Sequence, residues 1–251
     1  MTVEEAIDAL EIPSAARLDR RVPKKLLLDY GAPTAADKRQ IKEGIEQIQW
    51  VAALKPSTIG VPAYKDQERE YLEIAVLHVI LRPTVKLTRL VELLHRAVPY
   101  PVVGLAEQDG RLEISLAHKR WSKGEAEKTV LDDALVAASW PSAVDPHNPL
   151  FSEALSLNRQ PRGSLRTVYQ GWIDVLLALQ AAQRTGHFEI PADAARRVAR
   201  GEALRACDRL DAEIVRLRTA AKKEKQMPRQ VALNLELKQV EAARAAALER
   251  L

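Results

Sequence analysis

At 251 residues, 47% hydrophobic and 29% charged, the chain is long enough to bury a sizeable core and too apolar for a disordered polymer. Its single cysteine, Cys207, excludes an internal disulfide and any multi-cysteine zinc site within one chain. The net charge of +4 is uneven: residues 196–251 carry 14 Lys and Arg against 8 Asp and Glu, the remainder 24 against 26, so polyanion attraction is sought first in the C-terminal quarter.

The opening residues MTVEEAIDALEI are acidic and lack the basic start and apolar block of a signal peptide. The longest apolar runs, such as IAVLHVIL at 74–81, fall short of the roughly 20 residues of a membrane helix. A cytoplasmic location with no membrane partner is the expectation. Residues 3–10 predict a short helix, and with the start of the connector EIPSAARLDRRVPKK they form an N-terminal segment over 1–20. An α+β domain is expected over 21–140, with a small, mostly antiparallel sheet and packed helices. In it, Thr34 with Asp37 caps a helix that runs to about Gln47 and buries Ile41, Ile45 and Ile48. The segment QWVAALKP (49–56) follows as a strand, and STIGVPAY as a loop punctuated by Gly60 and Pro62.

From Glu70 to Leu81 nearly every position is apolar, interrupted by Glu73 and His78, which predicts a central strand covered on both faces. Leu87, Leu90, Val91 and Leu94 give an amphipathic helix. VPYP at 98–101 ends it, and Asp109-Gly110 turns a hairpin between strands at 102–106 and 111–119. A last short strand is expected at 134–140. After a proline-rich connector over 141–162, the region 163–251 is all helical. Leu165, Val168, Trp172, Leu176 and Leu179 form one helical stripe. Ala203, Cys207, Leu210, Ile214, Leu217 and Ala221 then face Leu233, Leu237, Val240, Ala247 and Leu251 across a turn at Pro228, with Arg244 as the one polar breach. That pattern predicts an antiparallel coiled-coil hairpin.

No GxxxxGK[ST] and no GxGxxG occurs, so a nucleotide-driven motor is not expected of this chain. The histidines at 78, 95, 118, 147 and 187 show no paired ligand spacing, and no metal or other cofactor is expected. A metal-dependent nuclease would need an Asp followed by Glu-x-Lys on a strand, both carboxylates holding the metal. The candidates are Glu70, Glu73, Asp109 and Glu113, but Lys119 stands six residues after Glu113 instead of two, and solvated strand edges explain these acids better.

The stretch SLAHKRWS (115–122) holds the most concentrated chemistry. Alternation places His118 and Arg120 on the side of Leu112, Ile114 and Leu116, with Lys119 and Trp121 opposite. His118 then continues the buried face, Arg120 reaches the rim, and Lys119 beside Trp121 offers a platform for a phosphate and a stacked base. Arg96, within i+4 reach of Glu92, and Tyr100 should reach the same end of the sheet as His118 and Lys119. Lys222, Lys223, Lys225 and Arg229 form a cationic knob at the hairpin tip, suited to phosphate or to an acidic protein surface.

Several phrases together resemble a known family: RVPKKLLLDY, LKPSTIGVPAYKD, REYLEIAVLHVILR, LLHRAVPYPVVGLAEQDGRLEISLAHKRWS and KKEKQMPRQVALNLELKQ. They resemble the bacterial domain of unknown function 4391, in both halves and in the same order. The resemblance implies an accessory protein encoded beside a DNA methyltransferase and a helicase-type ATPase, in operons of restriction or phage-defence character, and it supplies no catalytic residues. The expected function is a non-enzymatic accessory subunit that binds the helicase or methyltransferase, and DNA; the alternative is a divergent metal-dependent nuclease in the α+β domain.

Overall fold

The structure, a computed structural model, describes residues 2–83, 85–125 and 128–251. It is α+β, as the periodicities predict, and it divides into two compact units, Met1–Leu176 and Leu177–Leu251.

The first unit opens with α1 (Val3–Ala9), where the Thr2 hydroxyl accepts from the Glu5 amide at 3.2 Å and the Glu5 carboxylate accepts from the Thr2 amide at 2.7 Å. The connector that follows contains a strand the residue pattern does not signal, β1 (Arg17–Arg21), then α2 (Lys24–Tyr30) and α3 (Ala35–Gly44). Thr34 caps α3 as expected, its hydroxyl accepting from the Asp37 amide at 3.1 Å. The helix stops at Gly44 instead of Gln47, because β2 (Ile45–Leu54) already begins at Ile45. Ile45 and Ile48 are three apart, and in a regular strand they would face opposite ways. A register shift between Ile45 and Gln47 puts both into the same core, which is why helical spacing fits them equally well.

After a single turn, α4 (Pro56–Ile59), and the small ribbon β3 (Tyr64–Lys65) with β4 (Glu70–Tyr71), comes β5 (Ile74–Leu81), buried along nearly its whole length. The connection through α5 (Leu87–Ala97) brings β6 (Val102–Gln108) parallel to β5. β7 (Arg111–Trp121) returns antiparallel through Asp109 and Gly110, both at positive φ as a tight hairpin requires. β8 (Thr129–Ser139) is longer than the expected 134–140 segment. Among the described residues these strands form a six-stranded sheet in the order β1-β2-β5-β6-β7-β8, with β5–β6 its parallel pair.

Alternation then decides the layers. Ala75, Leu77 and Val79 pack with Leu27, Ile41, Leu90, Val91 and Leu94, so α2, α3 and α5 cover one face. Beyond α6 (Asn148–Leu155), the start of α7 (Leu165–Thr185) brings buried Val168, Tyr169 and Trp172 into this first unit, and the Trp172 indole donates to the Leu155 carbonyl at 2.8 Å.

In the second unit, α8 (Ala194–Lys223) and α9 (Met227–Leu248) pair along the predicted seam. Ala203, Cys207, Ile214, Leu217 and Ala221 are buried, and Leu233, Leu237 and Val240 turn the same way from α9. The polar breach at Arg244 is answered by Asp211 on α8, which accepts from its guanidinium.

Candidate functional site

The end of β7 is organised by one hydroxyl. The β6–β7 ladder stops at Gly104 opposite Ser115, and two positions further in the same register Val102 would face Ala117. Tyr169 of α7 takes that place, accepting from the Ala117 amide at 2.9 Å and donating to the Val102 carbonyl at 2.6 Å. Beyond it, β7 no longer shares hydrogen bonds with β6, and residues 118–121 part company.

Lys119 turns towards α5. It is only 3% exposed, and its ammonium donates to the carbonyls of His95 and Val98 at the C-terminal end of that helix. Burial lowers its pKa to about 7, while the helix terminus and two acceptors favour the charged form. The His95 ring lies in the same pocket. Its Nε2 shares a 3.0 Å hydrogen bond with the Ser115 hydroxyl, which itself donates to the Gly104 carbonyl at 3.3 Å, so Nε2 carries the proton. His95 Nδ1 has no partner among the described residues, and burial together with the charge of Lys119 pushes the ring's pKa down to about 3. Gly104 leaves room for the arrangement, since a Cβ there would stand 2.5 Å from the Ser115 oxygen.

His118 turns to the other face, as alternation predicts. Gln170 Oε1, an acceptor, lies 2.8 Å from its Nε2, which makes Nε2 the donor and leaves Nδ1 to accept from the Tyr71 hydroxyl. Burial holds the imidazole below its usual range and pushes the Tyr71 phenol up to about 12, so both are neutral at pH 7. Arg120 lies 3.5 Å from Asp132, whose carboxylate is also held by Arg69 at 2.7 Å. The Trp121 amide donates to the Glu68 carbonyl at 2.7 Å. The platform expected from Lys119 beside Trp121 is therefore absent: the ammonium that would meet a phosphate is buried under α5.

Arg96 and Tyr100 do meet. Both line a cavity of about 660 Å³ between α2, the end of α5 and the sheet, with Leu26, Trp50, Leu77 and Val98 among its walls. Lys119 reaches the same turn from beneath through Val98, whereas His118 does not. Arg96 pairs with Glu92 at 2.7 Å, as its i+4 spacing predicts. Glu92 is also held by Arg89, whose guanidinium grips Asp37 through two 2.9 Å bonds. Those bonds, with one from Thr34, keep the Asp37 carboxyl well below the usual carboxylate range.

The four carboxylates weighed for a nuclease are scattered. Glu70 pairs with Lys65 at 2.6 Å and Glu73 with Lys55 at 3.0 Å, while Asp109 occupies the hairpin turn and Glu113 lies within β7. Among the described residues, no three His, Cys, Asp or Glu side chains gather where they could hold a metal ion.

The model of a domain of unknown function, DUF4391, matches residues 10–243. The chain belongs to the DUF4391 family. No curated protein and no solved structure matches it.

The second unit supplies the other candidate residues. Lys222 and Lys223 close the last turn of α8, Lys225 lies in the connection, Arg229 opens α9, and all four are exposed. Farther down the arm, acids are committed to arginines, Asp208 to Arg184 at 2.5 Å, Glu213 to Arg216 at 2.5 Å and Glu241 to Arg218 at 2.8 Å, while at the tip Glu224 alone stands among the four cations. The positive potential thus gathers at the tip. Among the described residues, no helix is long and apolar enough to cross a membrane.

The residues that sequence reasoning missed are the partners. Tyr71, Tyr169 and Gln170 around His118, and Asp37 and Arg89 behind Arg96, carry no local pattern that separates them from other tyrosines, amides and ion pairs. Only Thr34 with Asp37, recognised as a helix cap, gave a foothold.

Proposed function

We propose that this DUF4391 protein is a non-enzymatic accessory subunit of a bacterial restriction-like or phage-defence system, binding a helicase-type ATPase or a DNA methyltransferase through its helical arm. The observation that carries the reading is the arm itself. It is an antiparallel hairpin whose seam is satisfied internally, while Lys222, Lys223, Lys225 and Arg229 at its tip all face solvent. A side-chain array of that kind supports steering and docking to an acidic surface, because exposed cations raise association rates and set partner choice more than they stabilise a fold. In the first unit, the most concentrated polar groups are spent on each other: Lys119 on helix carbonyls, His118 on Tyr71 and Gln170, Arg120 on Asp132.

The test is co-expression with the neighbouring gene products followed by size-exclusion chromatography. Co-elution with the helicase or the methyltransferase is expected. Elution apart from both proteins and from DNA would sink the reading. Incubation with plasmid and Mg²⁺ or Mn²⁺, with and without those partners, should leave the plasmid intact wherever this chain is the sole added protein. Cleavage by the isolated chain would replace the accessory role with a nuclease.

A further inference from the structure

We infer that the outer face of α9 is a docking surface for an acidic amphipathic α-helix of a partner protein. This inference rests on the accessory-subunit reading for the existence of a partner and adds the chemistry by which that partner is recognised.

α9 carries two apolar rows, and the hairpin uses only one. Leu233, Leu237, Val240 and Ala247 turn towards α8. Met227, Val231 and Leu235, spaced by four residues, turn the other way and are 71%, 54% and 59% exposed. The row continues through Ala242 and Ala246, both exposed. From Met227 to Ala246 it runs about 28 Å at the rise of an α-helix, five turns long. Scattered apolar side chains on a surface need no explanation, but three large apolar side chains one turn apart, continued past Lys238 by two alanines beside the seam, are the geometry that receives another helix.

Charge selects the occupant. The charged side chain standing within the row is Lys238, and the row begins beside the exposed tip lysines. The acids of α9 that would offset these cations are drawn to the flanks by α8, Glu236 towards Arg216 at 3.9 Å and Glu241 to Arg218 at 2.8 Å. A second copy of this arm would bring like charge against like charge along the row. Duplex DNA would satisfy the lysines and leave Met227, Val231 and Leu235 against phosphate. A helix with leucine-like residues on one face and carboxylates beside them satisfies both.

The experiment uses the full chain and three fluorescein-labelled 21-residue peptides, read by anisotropy. The first has leucine on one helical face and glutamate on the other; the second has lysine in place of glutamate; the third has serine in place of leucine. The first should bind at least tenfold more tightly than either of the others. Val231→Glu with Leu235→Glu should weaken it at least tenfold while the circular dichroism of the arm is unchanged, since neither residue lies in the seam. Val231→Ser with Leu235→Ser repeats the test if the charged variant does not fold. Equal binding of the lysine peptide, or of the first peptide to the folded double variant, overturns the inference. So does a wild-type dimer in light scattering that the double variant turns into a monomer, because the face would then belong to a second copy. If native partners co-elute equally with wild type and double variant, this surface fails while the accessory reading stands. If the peptide binds as expected but no neighbour co-elutes with the wild type, the surface stands and the accessory reading fails.

Discussion

Replacing Lys119 by methionine should change how the stability of the first unit depends on pH. The ammonium is 3% exposed and lies against two carbonyls, with burial lowering its pKa from 10.5 to about 7. Between those values the unfolded chain holds a proton that the folded chain has released, so folding becomes more favourable as pH rises. For a group titrating at about 7 in the fold, the gain from pH 7 to pH 9 is about 2 kcal/mol. The helix carbonyls favour the charged form and pull towards a smaller value. Urea unfolding at pH 6, 7, 8 and 9 would measure it. Lys24, whose pKa burial also lowers, contributes equally to wild type and variant, so the difference between them isolates Lys119. The wild type should gain on Lys119→Met as pH rises through this window. At pH 7 the variant should be destabilised by the two orphaned carbonyls and stabilised by losing a buried amine, two effects of about 1–3 kcal/mol that oppose each other. If the stability difference between the two proteins is the same at pH 7 and pH 9, Lys119 does not titrate there and its buried placement under α5 is wrong.

The same pocket predicts an acid limb. His95 is neutral in the fold with a pKa of about 3, so as pH falls from 7 to 5 the unfolded chain protonates first and the wild type should lose about 2 kcal/mol more than His95→Gln, measured by urea unfolding. Gly104→Ala forces a Cβ to within 2.5 Å of the Ser115 hydroxyl and should lower stability by about 1–3 kcal/mol, with relief on adding Ser115→Ala. Changing Lys222, Lys223, Lys225 and Arg229 together to glutamine should leave the fold unaltered in circular dichroism. If the tip grips duplex DNA, the slope of log affinity against log salt should flatten by up to about 0.9 per lost contact; an unchanged slope assigns these cations to a protein partner.

Much of the architecture is legible in the residues because it is decided by local period and turn chemistry. The central position of β5 follows from an apolar run broken within the strand by His78 alone, the β6–β7 hairpin from Asp109-Gly110, and the arm from apolar residues repeating at steps of four and three. β1 escapes notice because it is an edge strand of the sequence RLDRR, pairing through its backbone alone, with no buried face to leave a pattern. The end of α3 is misjudged for a related reason: a bulge gives Ile45 and Ile48 one strand face, and a helix would give them one face as well.

Residues 118–121 divide along the same line. Alternation alone tells which side of the sheet each residue takes, because successive side chains of a strand point to opposite faces. His118 accordingly joins the side of Ile114 and Leu116, and Lys119 the side of Ser115. What lies over each side depends on chain segments far away. Tyr169 ends the β6–β7 ladder from 52 residues beyond Ala117, Tyr71 reaches His118 across 47 residues, and α5 covers Lys119 across 24. A strand's own residues carry no information about those neighbours, since a lysine packed beneath a helix end and a lysine in solvent occupy the same position in the alternation. Composition and periodicity determined the elements, the seam of the arm and the location of the positive charge. Tertiary structure alone decided that Lys119 is buried, that Arg96 and Tyr100 share a cavity, and that α9 keeps a second apolar row exposed, because burial is a property of what the rest of the chain brings into place.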